Sequence, residues 1–284
     1  MIGKGVFMNL KAIILDIDGT LYTSEKKISP RTLKALLKAQ DQGIKLILAS
    51  GRPARGMRDV AHELKMDEND GLLVSYNGAA VYDCQTDELL FNQAMSVEEV
   101  KAVLNHLENF DVKPMIAKDD TMYVNNVFDN HISHNGRDIN IIEYESRGGK
   151  YLLCEKEHLG EFADFELNKI LIAADPTYLK NNYEAIRKPF EGKLSSMFTA
   201  AFYYEFTANG IDKGNALHQV LTPMGIKQED CIAFGDGQND MSIIKFAGHG
   251  VAMDNAVDEL KAAAQEVTAS NDEDGIAIVI ERYL

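Results

Sequence analysis

Leu15-Asp16-Ile17-Asp18-Gly19-Thr20-Leu21 decides how the rest of this chain is read. It follows directly on a largely apolar run, 10–15, with the composition of a buried strand. In an extended strand residues i and i+2 point the same way, so Asp16 and Asp18 are expected to converge as the strand ends. Gly19 lets the backbone turn tightly with no Cβ in the way. Two convergent carboxylates at the carboxyl end of a strand suit a hard cation, a nucleophilic attack, or both.

The surrounding chain narrows the classes to consider. Its 284 residues exceed the usual size of one core, so one large or two modest domains are expected. With 45% hydrophobic and 26% charged residues the composition is that of an ordinary globular protein. No apolar run approaches the ~20 residues of a membrane span. Residues 1–8 read as an extension ahead of the first strand, too short in apolar stretch for a secretory signal. Cys84, Cys154 and Cys231 are far apart and odd in number, which fits reduced thiols in a cytoplasmic protein better than a disulfide framework or a zinc site. A net charge of −15 argues against nucleic acid as a partner and would repel an anionic substrate. Any phosphate site must therefore supply local positive charge, and a bound metal is one way to do so.

Short apolar runs alternate with amphipathic stretches at both ends of the chain. Ser29-Pro30 caps a helix whose Leu33, Leu36 and Leu37 recur at helical spacing until Gly43. Strands are expected at 44–49, 72–75 and 79–82, with a helix over 53–66. Near the other end, 212–221 and 240–246 read as helices, 231–234 and 250–253 as strands. Such alternation implies right-handed crossovers and a parallel sheet. Between about 84 and 206 the character changes. A capping box, Ser96 to Glu99, opens a helix, and β-like runs follow at 113–118, 122–126, 141–144, 151–154 and 168–173. A helix at 176–188 and a hairpin of 194–197 with 202–206 complete that block.

Four local signals fall at strand ends or helix starts of the α/β part: Asp16 to Thr20, Ala49 to Arg52, Asp212 to Gly214, and Gly235 to Asp240. Each has a bland reading alone, since Asp-Gly pairs make turns, Ser-Gly makes loops and lysines cap exposed helix ends. An EF-hand does not fit, because its glycine belongs at loop position six. Ligands of open parallel sheets sit beyond the carboxyl ends of the strands, and the four signals are expected to meet there.

Together and in this order they resemble the haloacid dehalogenase-like phosphohydrolases, specifically the Cof-type branch, over residues 9–284. The resemblance implies an α/β fold: a Rossmann-like parallel-sheet core, residues 1–84 and 207–284, and an inserted α+β cap, 85–206, that closes over the site and chooses the leaving group. Phosphoryl transfer needs an in-line nucleophile, neutralisation of the equatorial oxygens and a proton for the leaving group. Asp16 would be the nucleophile, forming an aspartyl-phosphate, and Asp18 the general acid and then base. Mg²⁺ is the expected cofactor, with Asp16, Asp236 and, by resemblance, the backbone carbonyl of Asp18 as its ligands. Asp240 would hold a metal-bound water or orient Lys213. Lys213, the Ser50 hydroxyl, the Asn239 amide and the backbone amides of Ile17 and Gly51 would hold phosphoryl oxygens.

The expected activity is hydrolysis of small phosphorylated metabolites such as sugar phosphates, pyridoxal phosphate or flavin mononucleotide, with neither nucleic acid nor membrane as a partner. The acid at position 18 favours phosphoryl transfer over dehalogenation, and P-type pumps need membrane spans. A phosphomutase and a non-catalytic phosphometabolite sensor are the rivals, separated by product and by turnover. Other signals are weaker. His131 and His134 would share a helical face, yet no third metal ligand is near. Tyr203, Tyr204 and Phe206 read as core, Arg52 as solvated or substrate-facing, and Tyr76 and Asn77 as residues at the sheet's active edge, within reach of substrate.

Overall fold

Four residues, all buried, form β1 (Ala12–Leu15), as suits a parallel strand covered on both faces. The computed structural model describes residues 9–128, 130–134 and 136–284, without the side chains of His134 and Arg137. The extension expected at 1–8 lies outside these residues. After β1 comes α1 (Pro30–Asp41), where the Ser29 hydroxyl accepts from the Thr32 amide and Pro30 occupies the first turn. Gly43, at φ +81°, reverses the chain into β2 (Lys45–Ala49). The stretch read as one helix over 53–66 is instead a 3₁₀ turn, Ala54–Met57, followed by a short α2 (Arg58–Glu63). Gly56 weakens the first part, and Lys65 ends the second in a left-handed conformation at φ +54°. Then follow β3 (Leu72–Ser75), β4 (Ala80–Asp83) and β5 (Leu89–Asn92).

The chain next builds α3 (Val97–Leu107), opened by the reciprocal Ser96–Glu99 capping box. After it come β6 (Lys113–Lys118), β7 (Thr121–Val124), β8 (His131–His134), β9 (Arg137–Asn140) and α4 (Ile141–Gly149). β10 (Leu152–Glu155), α5 (Leu159–Phe162), β11 (Ile170–Ala173), α6 (Pro176–Arg187), β12 (Leu194–Ala200) and β13 (Tyr203–Ala208) complete this region. Two expectations fail here. Residues 141–144 begin a helix rather than a strand, because Asn140 caps it by accepting from the Glu143 amide at 3.0 Å. His131 to His134 is a strand rather than a helix, so the shared helical face does not exist. His131 instead meets Asp138 across the hairpin at 3.0 Å, and the His134 side chain lies outside the described residues.

The final stretch supplies α7 (Lys213–Leu221), β14 (Cys231–Gly235), α8 (Met241–Phe246), β15 (His249–Ala252), α9 (Asp258–Ala263), β16 (Glu266–Val267) and α10 (Gly275–Ile280). The eight-stranded sheet runs β16-β15-β14-β1-β2-β3-β4-β5. From β16 to β3 every pairing is parallel, and β4 turns back antiparallel on β3. Ile13 and Leu15 face one apolar cluster, with α1, α2 and α10, while Ala12 and Ile14 face another, with α7, α8 and α9. The fold is α/β with a Rossmann-like core.

The chain divides into two compact units, residues up to Phe91 with Asp212–Leu284, and Asn92–Ile211. β5 extends the eight-stranded sheet, which carries the first unit's chain past residue 84. In the second unit a six-stranded sheet runs β10-β7-β6-β11-β13-β12. Tyr204 and Phe206 are buried among helices α3 and α6 on one of its faces, and Tyr203 is buried on the other.

Candidate active site

Register explains how remote residues meet. Leu15 lies opposite Leu48 of β2 on one side and Phe234 of β14 on the other. The residues that follow these strands, Asp16, Ser50 and Asp236, therefore emerge together at one edge of the sheet. The fourth segment arrives on α7, where the Asp212 carboxylate caps the helix by accepting from the Asn215 amide at 2.7 Å.

Lys213 is fully buried, with Nζ 2.8 Å from Asp16 Oδ1 and 2.6 Å from Asp240 Oδ1. Asp240 is satisfied on both oxygens, since Oδ2 accepts from the amides of Asp236 and Gly237 at 3.0 and 2.9 Å. Asp236 Oδ1 accepts from the Thr20 hydroxyl at 2.6 Å. Gly19 takes φ +89°, and a Cβ there would lie 2.4 Å from Asp236 Oδ2. That position admits no side chain.

One carboxylate oxygen from each of Asp16, Asp236 and Asp240 falls within 4.8 Å of the others. Asp16 and Asp236 each retain an oxygen with no protein donor among the described residues, whereas Asp240 has none to spare. Three carboxylates against one ammonium leave two formal negative charges in a largely buried place. Hard oxygens and that excess charge suit a divalent cation, with Asp16 and Asp236 as the available ligands and Asp240 steadying Lys213.

The titration behaviour carries the same imbalance. Burial pushes the Asp16 carboxyl up to about 7, with Lys213 pulling it down and Asp240 and Asp236 pushing it further up. Burial also raises Asp236, against the pull of the Thr20 hydrogen bond. For Lys213 burial alone would lower the value, but the two carboxylates hold it above the ordinary lysine range, and it stays charged.

Asp16 and Asp18 do not converge. The strand stops at Leu15, and a turn through Ile17–Gly19 replaces the alternation on which that expectation rested. The Asp18 side chain, 42% exposed, forms a two-point pair with Arg52, Nε to Oδ2 at 2.8 Å and Nη2 to Oδ1 at 2.7 Å. Lys26 joins it at 3.1 Å. Burial would raise Asp18, but Arg52 and Lys26 hold its carboxyl below the usual range. Arg52 also lies over the Tyr22 ring at 5.5 Å, so it is a partnered, half-buried side chain rather than a free one.

Donors for an anion lie beside the acidic cluster. The Ser50 hydroxyl accepts from the Arg52 amide at 3.3 Å and keeps its own proton to donate. The amides of Ile17 and Gly51 have no acceptor among the described residues. Asn239 Nδ2 donates to Asn77 Oδ1 at 3.0 Å.

Thr20, Asn255 and Asn271 went unassigned in the sequence reading. Thr20 stood inside the opening motif. Asn255 Nδ2 donates to the Gly19 carbonyl at 2.7 Å and Asn271 Nδ2 to the Tyr22 carbonyl at 2.8 Å, tying down the loop that follows Asp16. No local pattern marks either of them, because their partners are more than two hundred residues away.

A Rossmann-like sheet bearing a buried carboxylate, a buried lysine and two further acidic residues at one edge has the features of the phosphoryl-handling α/β hydrolases. The family model of haloacid dehalogenase-like hydrolases matches residues 13–280, and the chain belongs to that family. It is a phosphoric monoester hydrolase of the haloacid dehalogenase superfamily. It is similar to 5-amino-6-(5-phospho-D-ribitylamino)uracil phosphatase YitU of Bacillus subtilis, 29% identical over 95% of this chain and 96% of the relative. Pyridoxal phosphate phosphatase YbhA of Escherichia coli is 27% identical over 98% of this chain and the whole of the relative. A solved haloacid dehalogenase-like hydrolase from Bacteroides thetaiotaomicron superposes with a TM-score of 0.87 at 33% identity, over 97% of this chain and 100% of the other. Among the described residues no helix is long and apolar enough to cross a membrane.

Proposed function

We propose that the protein hydrolyses small phosphorylated metabolites in the cytoplasm, with Mg²⁺ as cofactor and Asp16 as nucleophile. The meeting of Asp16, Asp236 and Asp240 with buried Lys213 carries this reading. Mg²⁺ held by Asp16, Asp236 and the Asp18 carbonyl would screen the incoming phosphate from the carboxylates. Asp16 attacks phosphorus while the bond to the leaving oxygen breaks, and Asp18 gives that oxygen its proton. The Asp18 carboxylate then takes a proton from the water that attacks the aspartyl-phosphate, releasing inorganic phosphate and restoring Asp16. Lys213, Ser50, Asn239 and the amides of Ile17 and Gly51 hold the phosphoryl oxygens through both displacements.

The Arg52 pair keeps Asp18 ionised, the form required in the second displacement. The first requires a proton on Asp18, and hence Arg52 turned away from it. None of the four motifs falls within Asn92–Ile211, which supports assigning the choice of leaving group to that unit as a cap. The two named relatives act on a phosphoribityl-uracil and on pyridoxal phosphate, and both support phosphate esters of small metabolites as the substrate class. Three free cysteines support the cytoplasmic placement.

The test is hydrolysis of p-nitrophenyl phosphate with and without Mg²⁺, in the native protein and in Asp16→Asn. The expected loss on substitution is about a thousandfold or more, as for other covalent nucleophiles. Wild-type turnover by Asp16→Asn would refute the assigned nucleophile.

A further inference from the structure

Tyr76, Asn77 and Gly78 occupy the left-handed region in succession, at φ +51°, +56° and +104°. Left-handed backbone at a residue with a side chain is costly, and it persists where surrounding contacts demand it. The contacts here reach three of the four motif segments. The Asn77 amide donates to the Ser50 carbonyl at 3.0 Å and the Tyr76 amide to the Arg52 carbonyl at 3.1 Å. Gly78 packs so tightly on the start of α7 that a Cβ would lie 2.3 Å from the Asp212 carbonyl oxygen. The Asn77 side chain accepts from Asn239 Nδ2 at 3.0 Å. Its own amide sits over Gly51, where a Cβ would come within 3.2 Å of Nδ2.

We infer that Asn77 is a positioning residue for phosphate binding: its side-chain carbonyl sets the orientation of the Asn239 amide, whose remaining N–H meets a phosphoryl oxygen. The inference rests on the phosphatase reading above. Unconstrained, a terminal amide rotates and exchanges its donor and acceptor ends. With Asn77 Oδ1 holding one N–H, the amide presents its second N–H in a fixed direction, which is the preorganisation that anion binding rewards. The strained loop explains how this is achieved. The αL conformation that Asn tolerates better than most side chains turns Asn77 back over the Ser50–Arg52 segment.

Asn77→Gly separates the two roles that Asn77 could have. Glycine keeps the left-handed backbone without strain and removes only the side-chain carbonyl and amide. The measurements are melting temperature, calorimetric binding of orthophosphate to the magnesium-loaded protein, and KM and kcat for p-nitrophenyl phosphate. Asn77→Gly should melt at or above the wild-type temperature, bind orthophosphate about tenfold more weakly and raise KM by a similar factor. In an Asn239→Ala background the same substitution should weaken orthophosphate no further, because the interaction it removes is already absent. Wild-type orthophosphate affinity in Asn77→Gly overturns the inference, as do additive losses in the double variant or a fall in melting temperature that accompanies the loss. If the wild-type protein neither hydrolyses p-nitrophenyl phosphate nor binds orthophosphate, the phosphatase reading fails and this role with it. If the wild type does both and Asn77→Gly matches it, only the role of Asn77 fails.

Discussion

The two units are built from similar elements but treat buried polarity in opposite ways. In the eight-stranded sheet the neighbours of β1 are β2 and β14, one close in sequence and the other some two hundred residues away. All three run the same way, so their carboxyl ends coincide and their following residues pool at one edge. The result is a cluster of three carboxylates on one buried lysine. In the six-stranded sheet most neighbours run antiparallel, so successive turns fall at alternate ends, and among the described residues no comparable cluster accumulates. Two of its buried tyrosines are settled in local pairs, Tyr203 with Glu145 at 2.7 Å and Tyr204 with Ser196 at 2.8 Å. Parallel topology gathers chemistry, whereas antiparallel topology disposes of polar groups locally.

Lys213→Met is the most severe way to test that contrast. It removes the cation that Asp16 and Asp240 share and strands two buried carboxylates, which costs about 3–5 kcal/mol. Urea denaturation measures that loss. Turnover of p-nitrophenyl phosphate should fall about 10²–10³-fold with the lost phosphoryl donor. A variant with near-native rate and stability would show that the cluster is not energetically coupled.

A milder probe is pH. With its carboxyl pushed up to about 7, Asp16 keeps a proton in the folded protein that the unfolded chain gives up near the ordinary 3.8. Between those values the native state binds more protons, so the stability of the metal-free protein falls as pH rises through the window. Mg²⁺ requires the anion. Its addition should therefore raise the melting temperature little near about pH 5 and considerably more near about pH 8. Equal gains at both values would remove Asp16 from the ligand set.

Tyr204→Phe is the smallest test and addresses the other unit. Losing one paired hydrogen bond to Ser196 should lower stability by about 1 kcal/mol in thermal unfolding and leave p-nitrophenyl phosphate turnover unchanged. A large drop in turnover at unchanged stability would mean that the antiparallel unit also carries chemistry.

How legible each unit was in sequence follows the same division. The strands around the site are short, apolar and bounded by motif residues, and β3 appears with its expected ends. In the inserted unit, Ile141-Ile142 reads equally as a buried strand or as the first turn of a helix. Only the contact of Asn140 with the Glu143 amide decides for the helix. Within the site, Asp16, Ser50, Lys213, Asp236, Asn239 and Asp240 stood out because each lies in a short motif of fixed spacing. Asn77 stood out only as a residue at the active edge, without its partner Asn239, and Asn255 and Asn271 did not stand out at all, because a lone asparagine in a loop is ordinary.

The chain's own order of residues determined the α/β class, the four chemical segments and the membership of the family, since motif spacing and apolar periodicity are local properties. Only the folded structure decided which way the carboxylates turn. Asp16 goes inward to Lys213 and Asp18 outward to Arg52, although a single residue separates them. A turn of the backbone after Leu15 and partners 197 and 34 residues away make that choice. Such contacts depend on sheet register and close packing, which no stretch of sequence contains by itself.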